Sequence, residues 1–157
     1  LWVSSRRDAV DEAVKKRRFA KAAKAKVRAE AGLADLVEAR LRVKCLDLLG
    51  LARRSGDLIS GFEKVKATLA AGEAVVLLAA ADGAADGREK LSRLARDLPV
   101  VTLFGVADMS LALGRENVVH ASLSSGGLAD RFLKEAKRLA GFCGDRENDP
   151  VLQEPEK

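Results

Sequence analysis

Residues 48–69 read LLGLARRSGDLISGFEKVKATL, and this one run holds a helix end, a short strand and a helix start. Arg53 and Arg54 sit in a last helical turn, where cations oppose the negative end of the helix dipole. Gly56 follows as a residue that takes the left-handed cap conformation without strain. Leu58 and Ile59 supply a short strand. Phe62, Val65 and Leu69 then recur at helical spacing, so a second helix runs from the turn at Ser60, Gly61, Phe62 and Glu63 toward Gly72. Helix, strand and helix joined by such short turns open an alternating α/β chain.

Downstream the alternation continues. Val75 to Ala80 reads as a fully buried strand, Leu91, Leu94 and Ala95 mark a helix, and Pro99 introduces a strand over Val100 to Phe104. Asp108 to Leu113 is expected to form a short helix, Asn117 to Ala121 a strand, and Gly127 to Ala140 a closing amphipathic helix. Such a pattern predicts a sheet covered by helices on both faces. Upstream, Ser5 and Asp8 mark the start of a helix from about Arg6, with Lys15, Lys16, Arg17, Arg18, Lys21, Lys24, Lys26 and Arg28 spread among helix-competent alanines. Gly32 interrupts it. Leu33, Leu36, Val37, Leu41, Leu48, Leu49 and Ala52 then form a second stripe, on a helix that joins the two halves. The expected organisation is a basic helical segment at 1–44, an α/β domain at 45–142 and an acidic, disordered tail at 143–157.

Charge is distributed unevenly. Residues 1–44 carry 13 Lys and Arg against 6 Asp and Glu, residues 45–142 carry 13 against 12, and residues 143–157 carry 2 against 5. Clustered cations ahead of a nearly neutral domain are the footprint of polyanion binding, because counterion release rewards them. The longest apolar stretch, Ala74 to Ala81, falls short of the ~18 residues a membrane helix needs. Cys45 and Cys143 are far apart with no CxxC partner, which argues against a zinc site or disulfide framework and for a reducing cytoplasm. The opening at Leu1, without an apolar leader, reads as a truncated start.

Catalytic and cofactor motifs are not found. His120 lies in a predicted strand with no nucleophile motif beside it, and reads as structural. Asp82, Asp86, Gly87 and Glu89 superficially resemble a calcium loop. Ala84 and Arg93, however, occupy positions where an oxygen ligand and a bidentate glutamate are needed. Ser124 to Gly127 opens a helix without the lysine of a phosphate-binding loop. The expectation is a non-enzymatic protein with no cofactor and no metal.

The run LLGLARRSGDLISGFEKV, the strand VVLLAAAD, the segment LPVVTLF and the later MSLALGRENVVHA, in that order, resemble the bacterial YlxQ-like branch of the kink-turn-binding ribosomal protein superfamily (the L-seven-Ae and L-thirty-e type). The resemblance covers about Leu48 to Phe142. It implies a three-layer α/β/α sandwich with a mixed four-stranded sheet, and RNA contacts from the turn before the second helix and from the loop after LALG. The family's Gly-x-Asn-Glu turn falls on Ser60, Gly61, Phe62 and Glu63, and a family lysine on Lys66. Phe62 replaces the asparagine whose amide would read a base pair, and offers a ring for stacking or packing instead. In the second loop Gly114, Arg115, Glu116, Asn117 and Val118 match, while Ser110 stands where glycine is usual.

A second resemblance covers Leu1 to about Val27, which is similar to the C-terminal part of a YlxR-like nucleic-acid-binding domain. It implies a place in bacterial RNA metabolism, among proteins encoded beside transcription-termination and translation-initiation factors. The residues and both resemblances predict a cytoplasmic, non-catalytic RNA-binding protein of transcription or translation. Its expected contacts are Lys15, Lys16, Arg17, Arg18, Lys21, Arg53, Arg54, Ser60, Gly61, Phe62, Glu63, Lys66, Gly114, Arg115 and Asn117. The alternative is an adaptor that binds protein on the ribosome or transcription complex, with Phe62 as an apolar anchor.

Overall fold

The computed structural model of the chain describes residues 2–23 and 32–143. Lys24, Lys26 and Arg28 of the expected basic helix, and the tail after Cys143, lie outside the described residues. The elements are α1 (Arg7–Lys15), α2 (Arg18–Ala23), α3 (Leu33–Ser55), β1 (Leu58–Ser60), α4 (Phe62–Ala70), β2 (Ala74–Ala79), α5 (Ala85–Ala95), β3 (Val100–Val101), α6 (Val106–Leu113), β4 (His120–Ser124) and α7 (Gly127–Cys143). The four strands form one mixed sheet in the order β1-β4-β2-β3. β4 runs antiparallel to both β1 and β2, and β3 runs parallel to β2.

Side chains split across the sheet with period two. Val76, Leu78 and Val101 join Leu49, Met109, Phe132 and Leu139 under α3, α6 and α7. Leu77 and Val100 join Val65, Leu69 and Leu91 under α4 and α5. That division makes the expected three-layer α/β/α sandwich. A fully buried side chain of this kind stabilises the fold by about 1.5–3 kcal/mol, against ~0–1 kcal/mol for a surface ion pair. The two apolar layers therefore supply most of the stability of the sandwich.

The end of α3 follows from its sequence. Gly56 takes φ 86°, its N–H donates to the Arg53 carbonyl at 3.2 Å, and the Asp57 N–H donates to the Ala52 carbonyl at 2.8 Å. This paired closure, with glycine in the left-handed position, ends the helix and sends the chain straight into β1.

Three local readings are corrected. The basic helix is broken, because Arg17 adopts φ 52° between α1 and α2. Only Val100 and Val101 of the strand expected over residues 100–104 pair, with Leu77 and Leu78. Thr102 to Phe104 stay buried but leave the ladder, and the Phe104 carbonyl accepts the Ala81 N–H at 2.9 Å. The last strand begins at His120 and not at Asn117, because Asn117 is in the left-handed region at φ 54°.

The front segment is docked on the sandwich. Val10 packs with Ala34 and Phe142. Arg7 pairs with Asp35 at 2.6 Å and with Glu38, and donates to the Phe142 carbonyl at 3.1 Å. Arg42 donates to the Leu103 carbonyl at 2.9 Å and lies over the Phe104 ring, 5.7 Å from its centroid. Two of the front cations are thus committed to the fold.

Candidate nucleic-acid interface

The turn between β1 and α4 is built on Gly61, which takes φ 104° and ψ 139°, a conformation open to glycine and costly for other residues. Its N–H donates to the His120 carbonyl at 3.1 Å, which ties the turn to the start of β4. Phe62 follows at the first position of α4. Its ring meets His120 edge to face, with centroids 5.8 Å apart and planes at 70°. A methyl group on Gly87 would come within 3.0 Å of His120 and 3.8 Å of Phe62, so glycine there lets the three residues close up. Of the two roles open to Phe62, the ring takes packing.

His120 is buried, and its Nε2 has no hydrogen-bond partner among the described residues. Its pKa lies below the ordinary histidine value, first because burial disfavours the cation and then because Arg88 repels it. The folded state therefore binds this proton less readily than the unfolded chain. The resulting stability is fully present above about pH 6.5 and is lost as pH falls toward the depressed value. A urea midpoint measured from about pH 7.5 down to about pH 5.5 is expected to fall, and His120→Leu to flatten that fall.

The second loop is held from behind. Gly114 closes α6 at φ 59°, the Arg115 N–H donates to the Ser110 carbonyl at 3.1 Å, and the Ser110 hydroxyl accepts the Val118 N–H at 2.9 Å. Ser110 thus braces the loop from inside. Arg115 and Asn117 are left exposed.

These two segments and the end of α3 meet at the β1 edge of the sheet. A groove of about 500 Å³ is lined by Arg53, Leu58, Ile59, Ser60, Lys64, Ala67, Thr68 and Arg115. The Arg53 guanidinium lies beside Gly114, since a methyl group added there would be 3.3 Å from it. Sequence reasoning missed Lys64 and named Lys66, which is exposed farther along α4. The missed signal was the helical spacing of Lys64, Ala67 and Thr68, which places one stripe of α4 along the groove.

Other expected contacts are placed elsewhere. Arg54, next to Arg53, lines a different groove of about 430 Å³ between α3 and α6, with Val43, Asp47, Asp108 and Leu111. Glu63 is exposed on the first turn of α4. Lys15, Lys16, Arg17, Arg18 and Lys21 are all exposed, and Lys16 pairs with Glu12 one turn away. Arg7 anchors α1 at Glu38, whereas Arg53 is in the last turn of α3. At ~1.5 Å per residue those two points are about 22 Å apart along the helix. The basic segment and the edge groove are therefore separate surfaces on one scaffold. Among the described residues no cluster of His, Cys, Asp and Glu is arranged to hold a metal ion. No described helix is long and apolar enough to cross a membrane.

The architecture places the chain among α/β/α sandwiches with a mixed four-stranded sheet. Among solved structures it is similar to a protein of unknown function from Bacillus halodurans, with a TM-score of 0.55 and 23% identity over 59% of this chain and 95% of that one. It is also similar to the 15.5 kD RNA-binding protein of Giardia lamblia, with a TM-score of 0.53 and 17% identity over 66% of this chain and 90% of that one. At these identities the likeness is one of fold. No family model and no curated protein matches the chain.

Proposed function

We propose that the chain is a non-catalytic, cytoplasmic RNA-binding protein of bacterial transcription or translation. The α/β/α domain contacts structured RNA through the β1–α4 turn and the loop after α6, and the exposed cations of α1 and α2 add sequence-independent affinity. The observation that carries this reading is the meeting of Arg53, Lys64 and Arg115, from three separate segments, on one groove beside the Gly61 turn. Electropositive clefts of this kind concentrate polyanions. The Giardia neighbour, an RNA-binding protein with the same fold, supports the same class of ligand.

The adaptor reading draws on a different surface from the one the sequence pointed to. Phe62 packs inward against His120, but Leu111 is 86% exposed and Val43 56% exposed at the α3–α6 groove. Exposed apolar side chains that share one groove suit a protein contact.

The test is a footprint. Ultraviolet crosslinking of the chain to an RNA hairpin with an internal loop, followed by peptide mass spectrometry, is expected to mark residues 53–66 and 110–118.

A further inference from the structure

We propose that the β1-edge groove seats one unpaired nucleotide, with its phosphate held by Arg53, Lys64 and Arg115 and its base laid against Ile59. The inference rests on the RNA-binding reading and adds the state of the RNA at this site: single-stranded, not duplex.

β1 hydrogen-bonds to β4 on one side and is the end strand of the sheet, so its other side is open between the last turn of α3 and the face of α4. Three cations border that opening, and among the described residues none of them forms an ion pair. Elsewhere the chain pairs its cations readily, as Arg7, Lys44 and Lys90 show. Three like charges facing one cleft repel each other until an anion enters, so the site favours phosphate.

The floor between the cations is apolar. Leu58, Ile59 and Ala67 line it, and Ile59 is 37% exposed. A duplex presents phosphates with its bases stacked away, and would leave that floor wet. An unpaired nucleotide presents a phosphate and a base face together, and covers both parts at once. The Ser60 hydroxyl, which bonds to no other described residue, is available to a base edge or a ribose hydroxyl. Thr68 is not, because its hydroxyl is already shared between the Val65 carbonyl and Ser122. The groove's 500 Å³ falls within the range of about 300–1,000 Å³ typical of small-ligand sites.

The experiment compares the full chain's affinity for decauridylate RNA and for a blunt RNA hairpin, in the wild type, Lys64→Ala and Ile59→Ala. Decauridylate binds the wild type, and each substitution weakens it by about five- to tenfold while lowering the ratio of decauridylate to hairpin affinity. An unchanged ratio overturns the proposal, as does failure of the wild type to bind decauridylate. Displacement of decauridylate by polyglutamate at equal charge would also overturn it, since that marks an unselective polyanion patch. If the hairpin binds and decauridylate does not, only this inference falls. If neither binds, the RNA-binding reading falls with it.

Discussion

Replacing Lys15, Lys16, Arg17 and Arg18 together by alanine is expected to lower affinity for a structured RNA hairpin at low salt by about ten- to a hundredfold. All four side chains are exposed, so the loss is electrostatic and not a loss of fold. Each phosphate contact removed also reduces the slope of log affinity against log salt by about 0.7–0.9. Lys16 is partly neutralised by Glu12, so its share is smaller than that of Lys15 or Arg18. The expected slope change is therefore nearer to roughly two or three than four contacts' worth. Filter binding across a salt series, with a urea midpoint as the control for folding, checks both numbers. An unchanged slope would remove α1 and α2 from the interface.

Gly141→Ala is expected to undock α1. The added methyl group would lie 2.1 Å from the Ser5 carbonyl oxygen, where only backbone movement relieves the clash. Overpacking of this kind costs about 1–3 kcal/mol. Here the cost reaches further, because the same contact carries the Val10, Ala34 and Phe142 cluster and the bond from Arg7 to the Phe142 carbonyl. Hydrogen exchange reads the result. Amides of α1 should lose protection while those of β2 and β4 keep theirs, and RNA affinity should fall because the cations of α1 and α2 are no longer held in place. Equal loss across the sheet would mean that α1 belongs to the global folding unit.

Much of this arrangement was legible in the sequence, for identifiable reasons. The end of α3 was readable because Arg53, Arg54 and Gly56 carry their own capping chemistry, and the β1–α4 turn because Gly61 precedes a clear apolar period. The break at Arg17 was not, since arginine is a good helix former and nothing in the local sequence marks the left-handed backbone it takes there. The start of β4 was misplaced for a similar reason. Asn117 tolerates the left-handed conformation, and the pairing of Ala79 with His120 fixes where the ladder begins. The candidate site was half readable. Its turn and loop were visible, but Lys64 is drawn into the groove by the packing of α4 on β1, and the role of Phe62 depends on Gly87 and His120 from distant segments. The charge count of the front segment was correct yet incomplete, because Arg7 and Arg42 serve the fold and leave fewer cations for a ligand.

The crosslinking footprint tests the central claim most directly. With wild-type chain and a hairpin bearing an internal loop, crosslinks at residues 53–66 and 110–118, with further contacts in α1 and α2, are the predicted result. Crosslinks confined to α1 and α2, with the β1-edge groove and the loop after α6 untouched, would contradict it and reduce the α/β/α domain to a carrier for a basic helix.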